Sequence, residues 1–171
     1  MKVKTILIFL VAFLCLTGFG QPATPAKIAV IQATGLPTQD PFMADYDASQ
    51  VVPQMTAHLN KLLGLFERAG QQGADLVCGP EDMQHIGPYG LYIDTRDPVT
   101  GEILFNSLAV PVPGPLTDRI ASIAKKYGMY IIAPIYEKYE GRIYNTAVVF
   151  DRQGNIMGKH RKTLLPIMET W

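Results

Sequence analysis

Two charged side chains stand where apolar strand-like runs give way to loops, and their types suit acyl-transfer chemistry. Glu81 comes three residues after Asp75 to Cys78 (DLVC), in LVCGPEDM, with Gly79 and Pro80 fixing the exit of the chain. A lone glutamate is ordinarily a solvated surface charge, but a carboxylate held on rigid scaffold at the end of a buried strand is placed as a general base needs to be. Lys162 lies in GKHRKTLLP, after the last apolar run. A lysine directed into a cleft offers a point charge to a developing oxyanion. Strand alternation sends His160 and Lys162 to one face and Arg161 to the other, so Lys159, His160 and Arg161 are expected to include solvated members of a basic surface run.

Other constellations are weaker. Glu81 and His85 are four apart, but Gly79-Pro80 and Gly87-Pro88 bracket them in a loop and no further metal ligands accompany them. Cys78 sits inside an apolar run and reads as an inert small hydrophobe. There is no G-x-G-x-x-G, no Walker-type loop and no G-x-S-x-G elbow. His58 falls within a helical period, where packing is the expected role. Tyr130, Tyr136, Tyr139 and Tyr144 are explained by cross-strand packing rather than base stacking.

The elements that must carry Glu81 and Lys162 alternate along the chain. Lys27 to Gln32 (KIAVIQ) reads as a first buried strand. Met55, Leu59, Leu62, Leu63 and Phe66, within Val51 to Gln71, mark one face of a helix closed by Gly70 and Gly73. DLVC is the second strand, and Leu91 to Val112 reads as a surface loop or hairpin. Leu116, Ile120, Ile123, Ala124 and Tyr127 repeat the same helical spacing, with Pro115 in the first turn and Gly128 as C-cap. Met129 to Tyr136 and Ile143 to Phe150 are strands joined through KYEGR, and DRQGN turns the chain into a last strand over Ile156 to Lys162. Pro134 implies an irregularity or an edge in its strand. The order predicts an α/β layered domain with helices on a mixed sheet, whose ligands lie beyond the carboxyl ends of the strands.

Composition sets the setting for this domain. Of 171 residues, 48% are hydrophobic and 18% charged, which argues for a folded core, and 15 basic residues against 15 acidic ones give no electrostatic footprint for nucleic acid. Residues 1–20 read as a secretory signal: Lys2 and Lys4, then an apolar run from Ile6 to Leu16, then small residues Gly18 and Gly20. A membrane anchor is the competing reading, but a span needs about 20 apolar residues. Removal of the leader leaves a mildly acidic chain with Cys78 as its one cysteine, a linker over 21–26, and no stable membrane anchor. The expected location is periplasmic or extracellular.

KIAVIQ, Glu81 after the second strand, PGPLTDRIASIAKKYGMYIIAPIYE and YNTAVVFDRQGNIMGKHRKTLLP together resemble the carbon–nitrogen hydrolase (nitrilase) superfamily over Lys27 to Trp171. The resemblance implies an α-β-β-α sandwich, of which 27–171 would be a C-terminally truncated half to two-thirds. It implies hydrolysis of a small amide, carbamoyl compound or nitrile through a Glu-Lys-Cys set, without cofactor or metal. Glu81 would deprotonate the cysteine and Lys162 would stabilise the tetrahedral intermediate before a thioester forms. Glu169, seven residues after Lys162, is offered as the family's second glutamate. Leu164 departs from the histidine often found there and leaves the subfamily open. The family's nucleophile lies well beyond the lysine, so no residue of this chain takes that role and the 171 residues alone are expected to be inactive. Self-association into a homo-oligomer is compatible with this reading. The second reading is a non-catalytic binding or subunit-association protein, because a sheet without its later strands would expose an edge and an apolar face.

Overall fold

Three apolar runs separated by helical periods are the pattern of parallel strands joined by crossovers, because parallel neighbours need a connection of a dozen residues or more. The computed structural model describes residues 25–32, 44–87 and 96–165 and has this arrangement. Strand β1 (Ile28–Val30) pairs in parallel with β2 (Leu76–Cys78), and β2 in parallel with β3 (Tyr130–Tyr139). Two antiparallel neighbours follow, β4 (Arg142–Phe150) and β5 (Ile156–Arg161), so the mixed sheet runs in sequence order. The leader 1–20, linker residues 21–24 and Glu169 lie outside the described residues.

Helix α1 (Ala48–Gln71) joins β1 to β2, and α2 (Leu104–Leu108) and α3 (Pro115–Tyr127) lie between β2 and β3. Two right-handed crossovers that advance in the same direction must set their helices on the same face of the sheet. The core accordingly joins Leu62 and Phe66 of α1 and Ile120 and Ala124 of α3 to Val77, Ile131, Ala133, Ile135, Val148 and Phe150. The opposite face of the sheet carries Ile28, Val30 and Met157 at 62%, 74% and 62% exposure.

Sequence signals set most boundaries. Asp47 caps α1 by accepting the Ser49 N–H at 2.9 Å, which starts the helix three residues before the apolar period begins and takes in Pro53. Gly128 ends α3 in the left-handed region (φ 61°). A side chain at Gly70 would collide with Tyr127, so this glycine sets how closely α1 approaches α3. Strands β3 and β4 extend further into KYEGR than their apolar runs do, leaving Glu140 and Gly141, both at positive φ, as a tight two-residue turn. Within the segment read as a loop or hairpin, Arg96 bridges Ile103 around a turn, and the short helix α2, which apolar spacing did not signal, follows.

Pro134 lies inside β3, yet its ring nitrogen has no ladder partner to lose. Even-numbered β3 residues turn their backbone groups toward β2: Tyr130 donates to Asp75, and the Ile132 carbonyl accepts from Gly79. Strand β2 ends at Cys78, opposite Ile132, so Pro134 faces the space beyond it. There the sheet edge is closed by other means. The Pro134 carbonyl accepts from Met83, and the buried Gln84 side chain accepts the Tyr136 N–H at 2.6 Å while its amide donates to the carbonyls of Tyr136 and Leu108. Val110 completes the edge, donating to Tyr136 and accepting from Lys138.

Replacing Gln84 by leucine keeps the volume but strands the buried Tyr136 N–H. The expected loss in chemical denaturation is about 1–3 kcal/mol, the cost of an unsatisfied buried donor.

Candidate active site

Glu81 leaves β2 on a loop that is fixed at each step. The Gly79 N–H donates to Ile132 and the Met83 N–H to Pro134, so the loop is pinned along β3 on both sides of Glu81. A Cβ on Gly79 would meet the Met83 sulfur at 2.8 Å and the Phe66 ring at 3.1 Å, which explains the glycine. Asp82, at φ 54°, folds its carboxylate back onto the next turn, accepting from Ile86 N–H at 2.9 Å and Gly87 N–H at 2.7 Å. Burial pushes the Asp82 carboxyl up, and these two N–H donors oppose that rise. His85, also at positive φ, sets its ring 5.4 Å from that of His58 on α1. His58 is 4% exposed with an unpartnered Nδ1, and burial, then His85, then Lys61 hold its pKa below the usual imidazole value. It therefore packs as a neutral core residue of the helix.

Lys162 arrives from the other end of the sheet. Its N–H donates to the Asn145 carbonyl at 2.8 Å, which carries the β4–β5 ladder one residue past β5. Its ammonium donates to Glu81 Oε1 at 3.0 Å, and the Asn145 amide donates to the same oxygen at 2.8 Å. Glu81 Oε2 has no donor among the described residues. The carboxylate is thus oriented through one oxygen and open at the other, and its side chain is 62% exposed. Lys162's hydrogen bond, then Asn145's, hold the Glu81 carboxyl below its ordinary range, with burial acting the other way. At neutral pH this carboxylate is ionised and able to accept a proton.

The two residues that the sequence singled out, 81 positions apart, are therefore brought into contact. Asn145, which the sequence does not single out, joins this contact; its signal is the asparagine in the strand run YNTAVVF. Alternation at the end of β5 separates Lys162 from Arg161, which turns instead to Glu137 on β3. Lys159 also pairs with Glu137, and Lys159 and His160 are the exposed members of the basic run. Cys78 lies part-buried on β2 with its thiol directed at the Gly79 carbonyl, 3.5 Å away. Among the described residues no group of three His, Cys, Asp or Glu side chains could hold a metal ion.

The site and its scaffold have relatives. Residues 27–170 match the family model described as carbon-nitrogen hydrolase. The chain is 35% identical over 130 residues to a bifunctional nitrilase/nitrile hydratase of Nicotiana tabacum, covering 71% of this chain and 37% of that protein. It is 34% identical over 113 residues to an omega-amidase of Xenopus tropicalis, covering 66% of this chain and 36% of that protein. The fold resembles that of Nit3 of Saccharomyces cerevisiae, a member of branch 10 of the nitrilase superfamily, with a TM-score of 0.57 at 19% identity over 85% of this chain and 46% of that one. The chain thus spans little more than a third of the length of these curated relatives.

The hydrogen bonds to Oε1 carry a sign that can be measured. A carboxyl whose pKa falls on folding adds stability above its unfolded value, and that contribution is lost as pH falls through the folded one. Asn145→Ala is expected to raise the Glu81 pKa toward the ordinary carboxylate value in a carbon-detected NMR titration, and Lys162→Met to raise it further. An unmoved Glu81 titration in both variants would contradict the contacts described.

Proposed function

The chain belongs to the carbon–nitrogen hydrolase family, and from that premise we propose that it contributes the general base and the oxyanion-stabilising cation of an enzyme that hydrolyses small amides, carbamoyl compounds or nitriles. The observation that carries this reading is the contact between Glu81 and Lys162 at the carboxyl end of β2, made through Oε1, with no donor to Oε2 among the described residues. A base must present a free lone pair to the proton that it removes, and Oε2 does so while Oε1 is held.

In the proposed reaction Glu81 takes the proton of a cysteine thiol, and the thiolate attacks the amide carbonyl or nitrile carbon. The Lys162 ammonium lies 3.0 Å from Glu81, close enough to serve the oxygen or nitrogen that gains charge in the tetrahedral species. With an amide or carbamoyl substrate Glu81 then returns the proton to the departing amine and a thioester remains. With a nitrile the thioimidate formed first takes up one water before ammonia departs and leaves the same thioester. A water activated by the same carboxylate then releases the acid. Glu169 is proposed as the family's second glutamate. Cys78 is a poor nucleophile for this scheme, since its thiol is engaged with the Gly79 carbonyl beside an apolar strand. The 171-residue polypeptide by itself is accordingly proposed to form no acyl-enzyme.

The leader reading completes the proposal: the first 20 residues direct export, and the enzyme works outside the cytoplasm. Mass spectrometry of protein recovered from the cell exterior or periplasm is expected to find a new N-terminus close to Gln21. Protein retained inside the cell with Met1 intact contradicts export.

The catalytic test is a panel of small amides, carbamoyl compounds and nitriles offered to the intact gene product. Glu81→Gln is expected to lower kcat/KM by about 10²- to 10⁴-fold and Lys162→Met by about 10²- to 10³-fold. Full activity in either variant removes that residue from the machinery. The 171 residues alone are expected to be silent on the same panel, and an acyl adduct trapped on Cys78 would overturn that expectation.

A further inference from the structure

Glu137 is the least exposed charged group among the described residues, and it takes no part in the proposed reaction. It sits near the end of β3 with 0% exposure. Arg161 grips both of its oxygens, Nε to Oε2 at 2.9 Å and an Nη to Oε1 at 3.1 Å. Lys159 donates to Oε1 and the Thr146 hydroxyl to Oε2. The Arg161 guanidinium is further held over the Tyr144 and Tyr139 rings, 4.0 and 4.6 Å from their centroids.

Stability alone does not call for this arrangement, because buried ion pairs are commonly matched or exceeded by apolar residues of similar volume. What charge supplies is a fixed geometry, since a planar two-pronged contact tolerates little rotation or translation. The place where that geometry is delivered is the end of β5, which among the described residues is the outer strand of the sheet and pairs with β4 alone. Arg161 is the last residue of β5 and Lys162 is the next. Their side chains leave opposite faces, so a clamp on Arg161 sets the direction of Lys162 without entering the site.

We propose that Glu137 is a positioning residue for the Glu81–Lys162 pair: by gripping Arg161 across the sheet it fixes the backbone at the end of β5 and so aims the Lys162 ammonium at Glu81. The proposal rests on the reading of Glu81 and Lys162 as catalytic groups, but its geometric content stands apart from turnover. Misplacement of a catalytic group by about 1 Å can cost on the order of 10²-fold in rate, so the clamp acts on kcat rather than on substrate affinity.

The test compares Glu137→Gln and Arg161→Lys in the intact gene product. Arg161→Lys keeps the charge but gives up the two-pronged grip, and it carries the test if Glu137→Gln does not fold. Both variants are expected to lower kcat by about 10- to 100-fold with KM within about threefold, and to shift the acid limb of kcat/KM upward with the Glu81 carboxyl titration. Glu137→Asp, which retains the carboxylate, is expected to recover part of the loss. Leu62→Ala, a truncation in the helix-side core, is expected to leave kcat per folded molecule and the Glu81 titration at their wild-type values. Folded Glu137→Gln and Arg161→Lys proteins with wild-type kcat and an unmoved Glu81 titration would overturn the proposal. The titration is read whether or not substrate turns over, so failure of the catalytic reading, seen as full activity in Glu81→Gln, is distinct from failure of this one.

Discussion

A carboxylate with no solvent exposure keeps its charge only if its surroundings replace the water that it has lost, and Glu137 meets that condition with Arg161, Lys159 and the Thr146 hydroxyl. Burial pushes its pKa up, but the donors together outweigh burial and hold it below the usual carboxylate range. Losing one partner of such a set is unfavourable, because a charge that has given up its water is left with fewer compensating donors. The three strands that supply these groups therefore have little freedom of register. The hairpin from β3 to β4 closes two residues beyond Glu137, and the Glu81–Lys162 pair lies across the sheet from it.

A second constraint comes from the unequal lengths of the strands. Strands β1 and β2 have three residues each, while β3 has ten, so β3 continues past its parallel neighbour. Unpaired backbone on a central strand has to be satisfied; the loop that follows β2 does this with Met83 and the Gln84 side chain, and Val110, between α2 and α3, continues the edge. The same contacts hold Glu81 still. A loop that carries chemistry is thus made rigid by the need to complete a sheet edge, with Asp82 and the His58–His85 ring contact bracing its far side.

Much of this was legible in the sequence because it depends on local patterns. The repeated helical spacing in α1 and α3 located both helices, and the short apolar runs located the five strands. Glycines at 79 and 128 marked places where the chain turns, whereas Gly70, read as closing α1, lies inside that helix. Glu81 and Lys162 stood out for a related reason, as polar residues at the ends of apolar strands. The short helix α2 was not legible, since its five residues are too few to show a period. Gln84 and Glu137 were not legible either. A polar residue beside a turn or near the end of a strand reads as solvated, and only its partners from distant segments make it a buried one.

What the sequence determined by itself was the five strands and the two long helices, their order and the identity of the two candidate catalytic groups, because periodicity and residue type act within a few positions along the chain. The tertiary structure alone decided that Glu81 and Lys162 meet through one carboxylate oxygen, that Asn145 shares that oxygen, and that Arg161 turns away to a buried Glu137. These contacts link residues 24 to 81 positions apart. Their geometry follows from strand pairing and from the face to which each side chain is sent, and neither is fixed until the sheet has formed.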